Sequence, residues 1–279
     1  MGWLFTSVET RRSCRSYVPK PLPKPLRTKL MAYIKDNSKG PFGNTVRFKL
    51  LELDSIDPNE AKKLGTYGVI RGARCFLAPV VPEGERALVD LGYCSESAVL
   101  YATHLGLGTC WLGGTFRRSG FLEQVEPSEK EIMPAVIAIG RPGEGRTLLD
   151  RIFRATARSA TRKPWDQMFF VGSPARPLAG SAAGQFSRAL EALRLAPSAS
   201  NKQPWRVVKE RKRDTFHFYI ARTSSSIGLY KDLQSVDIGI GICHFDMAAK
   251  ELGLAGEFEV LDPGIAAGDW EYVGSWKKA

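Results

Sequence analysis

Val89-Asp90-Leu91-Gly92 recurs 147 residues downstream as Val236-Asp237-Ile238-Gly239. At the same offset Ala102 meets Ala249, and Leu105-Gly106-Leu107 meets Leu252-Gly253-Leu254. Seven of the twenty positions from 89 to 108 are identical without a gap, where unrelated segments share about one. Both copies read as buried helices. Leu91, Cys94, Ala98, Ala102 and Leu105 follow the 3.6-residue period, as do Ile238, Ile242, Phe245, Ala249 and Leu252. Each copy ends in Leu-Gly, with a glycine free to take the left-handed cap. Such helices can pack on each other about a pseudo-twofold axis, with Ile242 and Phe245 set against Cys94 or Ala98.

Working outward, Leu26–Ile34 and Phe186–Leu195 are further helices, the second stopped by Pro197. Arg47–Leu53, Cys75–Val81, Ala135–Ile139, Arg206–Lys209 and Thr215–Ile220 read as strands. Residues 172–184 are small and rich in Gly, Ala and Pro, and read as a linker. The expected halves are 1–171 and 185–279. Strands and helices mix without regular βαβ spacing, so the fold class is α+β.

With 279 residues, 43% of them hydrophobic and 25% charged, the chain can bury a substantial core. Cys14, Cys75, Cys94, Cys110 and Cys243 form no C-x-x-C pair, which argues against a zinc site or disulfide framework. The start lacks a cationic region and a long apolar stretch, so no signal peptide is expected. No apolar run reaches membrane-spanning length. A reducing, cytoplasmic setting follows. The net charge of +11 is uneven. Residues 1–35 hold eight cations against Glu9; a second zone holds Arg146, Arg151, Arg154, Arg158, Arg162 and Lys163 against Asp150. Nucleic acid is a candidate partner on charge alone, yet aromatics are not interleaved with these cations as base stacking requires.

Two segments carry the chemistry. Arg11-Arg12-Ser13-Cys14-Arg15 gathers three cations around a hydroxyl; arginine grips phosphate oxygens bidentately. Ala196–Trp205, Ala-Pro-Ser-Ala-Ser-Asn-Lys-Gln-Pro-Trp, strings hydrogen-bonding side chains between two prolines. Together they suit a ligand with a phosphate at one end and a flat, polar-edged ring at the other. Gly106–Gly114 fails the dinucleotide pattern G-x-G-x-x-G, because Trp111 stands where the third glycine belongs. Gly113 and Gly114 still let a planar ligand approach the backbone. Arg162-Lys163-Pro164 follows the apolar run Ala135–Ile139 and Gly140-Arg141-Pro142. The three histidines are scattered and read as structural. No nucleophile elbow or metal motif is present.

The Arg-Arg-Ser-x-Arg run, Gly-Leu-Gly-x-x-Trp-x-Gly-Gly, the basic-Pro motif and the Pro-Ser-x-x-Asn-x-Gln-Pro-Trp loop resemble those of FMN-dependent nitroreductases. Those proteins are usually homodimers whose flavin site is built by both chains. The resemblance implies that Arg11 reaches the FMN phosphate, Ser13 the ribityl chain and Arg15 the pyrimidine edge, with Arg12 in the same run. It implies that backbone N–H groups near Trp111, Gly113 and Gly114 face N5, and that Arg162 and Lys163 bind phosphate. Ser198, Ala199, Asn201 and Gln203 then border the ring from the far side, opposite Arg11–Arg15 and Arg162-Lys163.

The first half has Gly40–Asn44 where the second has the polar loop, and the second half lacks the Arg-Arg-Ser run. Each holds what the other lacks. The chain thus resembles a single-chain nitroreductase, two pseudo-twofold-related repeats each with a mixed sheet and packed helices, in which a monomer mimics the dimer. One FMN per chain is implied, reduced by NAD(P)H through hydride transfer to N5 and reoxidised by a nitroaromatic, quinone or activated alkene. No side-chain acid or base is required. Neither nucleic acid nor membrane is an expected partner. A flavin-binding sensor or carrier without turnover, and a basic nucleic-acid-binding protein, are the alternatives.

Overall fold

In the computed structural model the described residues are 2–55, 64–66, 68–143, 161–223 and 232–279. The basic zone's Arg146, Arg151, Arg154 and Arg158, with Asp150, lies outside them.

The helices are α1 (Trp3–Thr10), α2 (Lys24–Asp36), α3 (Ala87–His104), α4 (Arg118–Val125), α5 (Ser187–Leu195) and α6 (Leu233–Glu251). The strands are β1 (Arg47–Glu52), β2 (Cys75–Pro82), β3 (Gly108–Leu112), β4 (Glu131–Ile132), β5 (Val136–Gly140), β6 (Phe169–Val171), β7 (Trp205–Lys209), β8 (Thr215–Ile220), β9 (Gly256–Glu259) and β10 (Glu271–Lys278). The α+β class holds. One sheet runs β1-β2-β5-β3, with β4 on the end of β2; the other runs β6-β7-β8-β10-β9. Strand pairs in the first are antiparallel, and Ser13 adds a parallel bridge to Thr109 beside β3. In the second, β6 pairs parallel with β7 and the rest antiparallel.

Chain order and sheet order match between the halves. The series α2, β1, β2, α3, β3, β5 gives the path β1-β2-β5-β3. The series α5, β7, β8, α6, β9, β10 gives β7-β8-β10-β9. Both long helices close alike. After α3, Leu107 N–H bonds to the Ala102 carbonyl at 2.9 Å and Gly106 has φ 76°. After α6, Leu254 N–H bonds to the Ala249 carbonyl at 2.9 Å and Gly253 has φ 72°. The left-handed glycine lets the chain turn back and satisfy an end carbonyl.

α3 and α6 cross at the repeated motif. A Cβ on Gly92 would lie 2.2 Å from the Val236 carbonyl oxygen, and one on Gly239 would lie 2.0 Å from the Val89 carbonyl oxygen. The contacts are reciprocal: each glycine admits the backbone of the residue that opens the other copy's motif. Of the two expected partners, Cys94 shares a buried cluster with Ile242 and Phe245, while Ala98 lies in another. Phe245 turns to the second sheet, with ring centroids 5.2 Å from Phe216, 5.3 Å from Phe218 and 5.4 Å from Trp276. Ala98 packs with Leu77, Ile137 and Ile139 of the first sheet. The glycines explain the difference: the crossing is held by backbone contact, so the large side chains are free to serve their own sheets. A buried carboxylate adds a polar tie between the helices. Asp246 accepts from Tyr93 Oη at 2.5 Å, Lys250 Nζ at 2.7 Å and Trp276 Nε1 at 3.2 Å.

Residues 172–184 are mostly exposed but are tied down at two points. Leu178 and Ala183 are buried, Leu178 N–H bonds to the Phe169 carbonyl at 2.9 Å, and Trp165 Nε1 donates to the Leu178 carbonyl at 2.6 Å. β6, from the expected first half, belongs to the second sheet. Among the described residues, no helix is long and apolar enough to cross a membrane, and no cluster of His, Cys, Asp and Glu could hold a metal. All five cysteines are free thiols.

Candidate functional site

Arg11–Tyr17 leaves α1 as an extended chain. Arg12 closes the helix, its Nη1 donating to the Glu9 and Arg11 carbonyls at 2.6 and 2.7 Å. Cys14 N–H bonds to the Thr109 carbonyl at 2.8 Å, and Arg71 N–H to the Arg15 carbonyl at 2.8 Å. Ser13 is thus pinned beside β3, and Arg15 against Arg71 in the segment ahead of β2. Trp111, Gly113 and Gly114 lie at the end of β3 and just past it. Within the glycine-rich segment Gly108–Leu112 is a strand, because Thr109, Cys110 and Leu112 find a buried sheet position next to β5.

Arg11 is buried, 7% exposed, and its Nε has no hydrogen-bond partner. The nearest carboxylate is Glu96 on α3, at 4.0 Å. Glu96 is itself fully buried, with both oxygens engaged. Oε2 accepts from Trp111 Nε1 at 2.8 Å, and Oε1 lies 3.0 Å from His244 Nε2. His244 Nδ1 donates to the Ala192 carbonyl at 2.9 Å, so the Nε2···Oε1 contact needs a proton from one partner or the other. Burial pushes the Arg11 pKa down, Glu96 opposes this, and Arg12 adds to it.

The polar loop follows α5. Ser200, Asn201 and Gln203 have φ of 49°, 56° and 49°. Left-handed backbone at a non-glycine residue costs about 1–2 kcal/mol, and it persists only where the surroundings over-determine it. They do so here. Ser198 Oγ accepts from Gln203 N–H at 2.9 Å, and Asp237 Oδ1 accepts from Ala199 N–H at 2.8 Å. Gln203 Oε1 accepts from Lys163 N–H at 2.8 Å.

The sequence placed Arg162-Lys163 across the ligand from this loop. The structure binds them to it. Arg162 Nη2 donates to the Leu195 carbonyl at 2.9 Å and Nη1 to Asn201 Oδ1 at 3.4 Å; Lys163 Nζ donates to the Gln203 carbonyl at 3.3 Å. The loop leads into β7 and the basic pair runs toward β6, the parallel neighbour of β7, so the loop and the basic pair form one rim. Burial first, then repulsion from Arg11, Arg194 and Arg12, lowers the Arg162 pKa to about 10. Burial, then Arg206 and Lys202, lowers that of Lys163 to about 8. Arg11, Arg12 and Arg162 therefore form a cation cluster whose members destabilise one another. An anion with several acceptor oxygens would relieve them.

α6 joins the remaining pieces. A Cβ on Gly113 would lie 2.8 Å from Leu233 Cδ1 at the start of that helix, while Asp237, one turn on, holds Ala199. A Cβ on Gly114 would meet nothing within 4 Å among the described residues, which leave the turn past β3 open to a planar group. Glu96, His244 and Asp237 were missed by sequence reasoning. Asp237 had a signal, since it repeats Asp90. Glu96 had none, its counterpart in the second copy being Cys243.

The family model described as "Putative TM nitroreductase" matches residues 4–249. Among solved structures, a "putative nitroreductase" from Thermotoga maritima is 18% identical, covers 98% of this chain and 92% of its own, and superposes with a TM-score of 0.62. An FMN-dependent nitroreductase from Clostridium difficile is 16% identical over 51% of this chain and 90% of its own, with a TM-score of 0.41. An oxidoreductase containing FMN is 19% identical over 52% of this chain and 78% of its own, with a TM-score of 0.42. No curated protein matches the sequence.

Proposed function

We propose that this chain, which belongs to the nitroreductase family of oxidoreductases, binds one FMN and uses it to pass electrons from NAD(P)H to a small organic acceptor. The observation that carries the reading is the cation cluster around the buried Arg11, beside the polar loop. Arg11, with an unpartnered Nε, and Arg162, repelled by Arg11 and Arg12, stand at one end of a rim edged by Asn201 and Gln203. These residues fit the cofactor. The cluster suits its phosphate, the loop its polar ring edge, and the open turn at Gly114 its flat face.

The roles follow from surroundings. Arg162 shares its field with Arg11 and Arg12 and turns to the phosphate; Lys163 shares its own with Arg206 and Lys202 and braces the loop. Ser13, pinned beside β3, serves the ribityl chain, and Arg15, pinned at Arg71, the pyrimidine edge. Trp111 is held by Glu96 and keeps β3 in place beneath the turn. FMN, when bound, supplies the two-electron chemistry that no side chain here provides. The protein binds, orients and excludes water.

We read the two sheets as a duplication. The matched strand order and the reciprocal Gly92 and Gly239 contacts support two repeats about a pseudo-twofold axis. The site at the junction takes Arg11–Arg15 and Gly113-Gly114 from the first repeat and the polar loop from the second, so one chain is sufficient. At the counterpart loop, Phe42 packs on Phe258 with centroids 5.8 Å apart and sits 5.7 Å from the Arg86 guanidinium. Side chains fill that position, and a second flavin has no room there. The test is the purified protein's absorption spectrum with titration of FMN and riboflavin. FMN bound at one per chain, and bleached by NAD(P)H, is expected. A colourless protein that takes up neither flavin refutes the reading.

A further inference from the structure

The repeated motif places one aspartate in each long helix, and both hold the loop ahead of their repeat's first strand. The two differ in a way that a structural role alone leaves unexplained. Asp90 is satisfied: Oδ1 accepts from Phe42 N–H at 3.0 Å, and Oδ2 accepts from Asn44 N–H and Nδ2, both at 2.9 Å. Its loop has positive φ at Gly43, 94°, where glycine carries no penalty. Among the described residues Asp237 has one bond, from Ala199 N–H, and its buried Oδ2 has no partner. Its loop holds three non-glycine residues in left-handed backbone. Helices, fold position and residue are matched, so the strain and the unmet acceptor belong to the loop that faces the candidate flavin.

We propose that Asp237 is a positioning residue which, through Ala199, holds the polar loop in its strained, ligand-facing shape. The proposal rests on the flavin reading of the site. The bonds that keep the loop there include Asp237 to Ala199, Arg162 to Asn201, Asn201 to the Thr161 carbonyl, Ser198 to Gln203, and Lys163 to Gln203. The last two lie at the Gln203 end. Asp237 anchors the other end, to the same helix whose first residue, Leu233, meets Gly113. The spacing between the glycine turn and the polar edge, which a planar ligand must fit, is thereby set on one rigid element. An acceptor without a partner costs stability, and its retention at the site, but not at Asp90, is what a positioning role predicts.

Two measurements on the full-length chain test this: hydrogen exchange of residues 198–203, and titration with FMN and riboflavin. Asp237→Ala should speed exchange of that segment about tenfold or more. It should weaken both flavins about tenfold, the loss of one hydrogen bond, because the loop borders the ring and not the phosphate. Asp237→Asn keeps an oxygen for Ala199 N–H and should restore both. Asp90→Ala should leave flavin affinity of the folded protein unchanged. If Asp237→Ala does not fold, Asp237→Ser, too short to reach Ala199, takes its place. Unchanged exchange at 198–203, or an Asp237→Asn variant as impaired as the alanine, overturns the proposal. Failure of the wild type to bind either flavin refutes the site reading instead, and the exchange comparison still decides the role of Asp237 in the loop.

Discussion

Alanine at Gly92 or Gly239 should pull apart the helix pair on which the architecture depends. A Cβ at these positions would stand 2.2 and 2.0 Å from backbone carbonyl oxygens of the facing helix, against 3.4 Å or more for ordinary contact. The obstacle is main chain, so no rotamer change relieves it, and the axes must separate by about 1 Å against a core that packs like a crystal. Overpacking of this kind costs roughly 1–3 kcal/mol, and a backbone obstacle places it at the upper end. Alanine also recovers roughly 1 kcal/mol of helix propensity. The net loss is about 2 kcal/mol for either variant, on the order of 4 °C in Tm. Gly241 is the internal control. Its Cβ would meet Trp205 Cε3 at 3.2 Å, a side-chain contact that can yield, so Gly241→Ala should cost less. Because one separation relieves both clashes, Gly92→Ala/Gly239→Ala should cost less than the two losses added. Urea denaturation of the four variants reads this directly. A Gly239→Ala protein as stable as wild type, or a strictly additive double variant, refutes the reciprocal crossing.

Arg11→Ala should weaken FMN by roughly 1.5–3 kcal/mol, the range for a hydrogen bond to a charged group, and leave riboflavin nearly unaffected; equal loss of both flavins would mean that Arg11 acts through the fold. Phe245→Ala, emptying a site ringed by Phe216, Phe218 and Trp276, should cost roughly 3–5 kcal/mol in denaturant melts, and a loss under 1 kcal/mol would contradict its place in the core. Burial, opposed by the Ala199 bond and aided by Asp232, raises the Asp237 pKa to about 8. A raised carboxyl pKa makes the native state bind more protons than the unfolded, so this contribution is full below about pH 4 and is lost as pH rises to 8, at up to about 1.4 kcal/mol per pH unit. Wild type minus Asp237→Asn stability should therefore fall over that window, and a difference independent of pH would show that Asp237 is ionised throughout.

Much of this was legible because the informative features were periodic. The helices at 91–105 and 238–252, the strands at 47–53, 75–81 and 215–220, and the glycine caps all announced themselves through spacing. β3 did not, since Gly108-Thr109-Cys110 has little apolar alternation and is a strand only because β5 lies beside it. β9 and β10 were missed too: Gly256–Glu259 is half exposed, and only its pairing with β10, which in turn pairs with β8, defines the edge. The glycines of the repeat were visible as identities, but their use at a helix crossing requires three dimensions. At the site, the motifs named the residues and not their sides. Arg162-Lys163 carries no mark in sequence that it will bond to Asn201 and Gln203. Glu96, which meets Arg11, Trp111 and His244 at once, looked like one more polar residue on a helix.

Native mass spectrometry of the flavin-loaded protein, across a dilution series, tests most directly whether two repeats in one chain build one site. The expected species is a single chain carrying a single FMN at every concentration. A dimer that sheds its flavin on dissociation, or a chain carrying two, would contradict it.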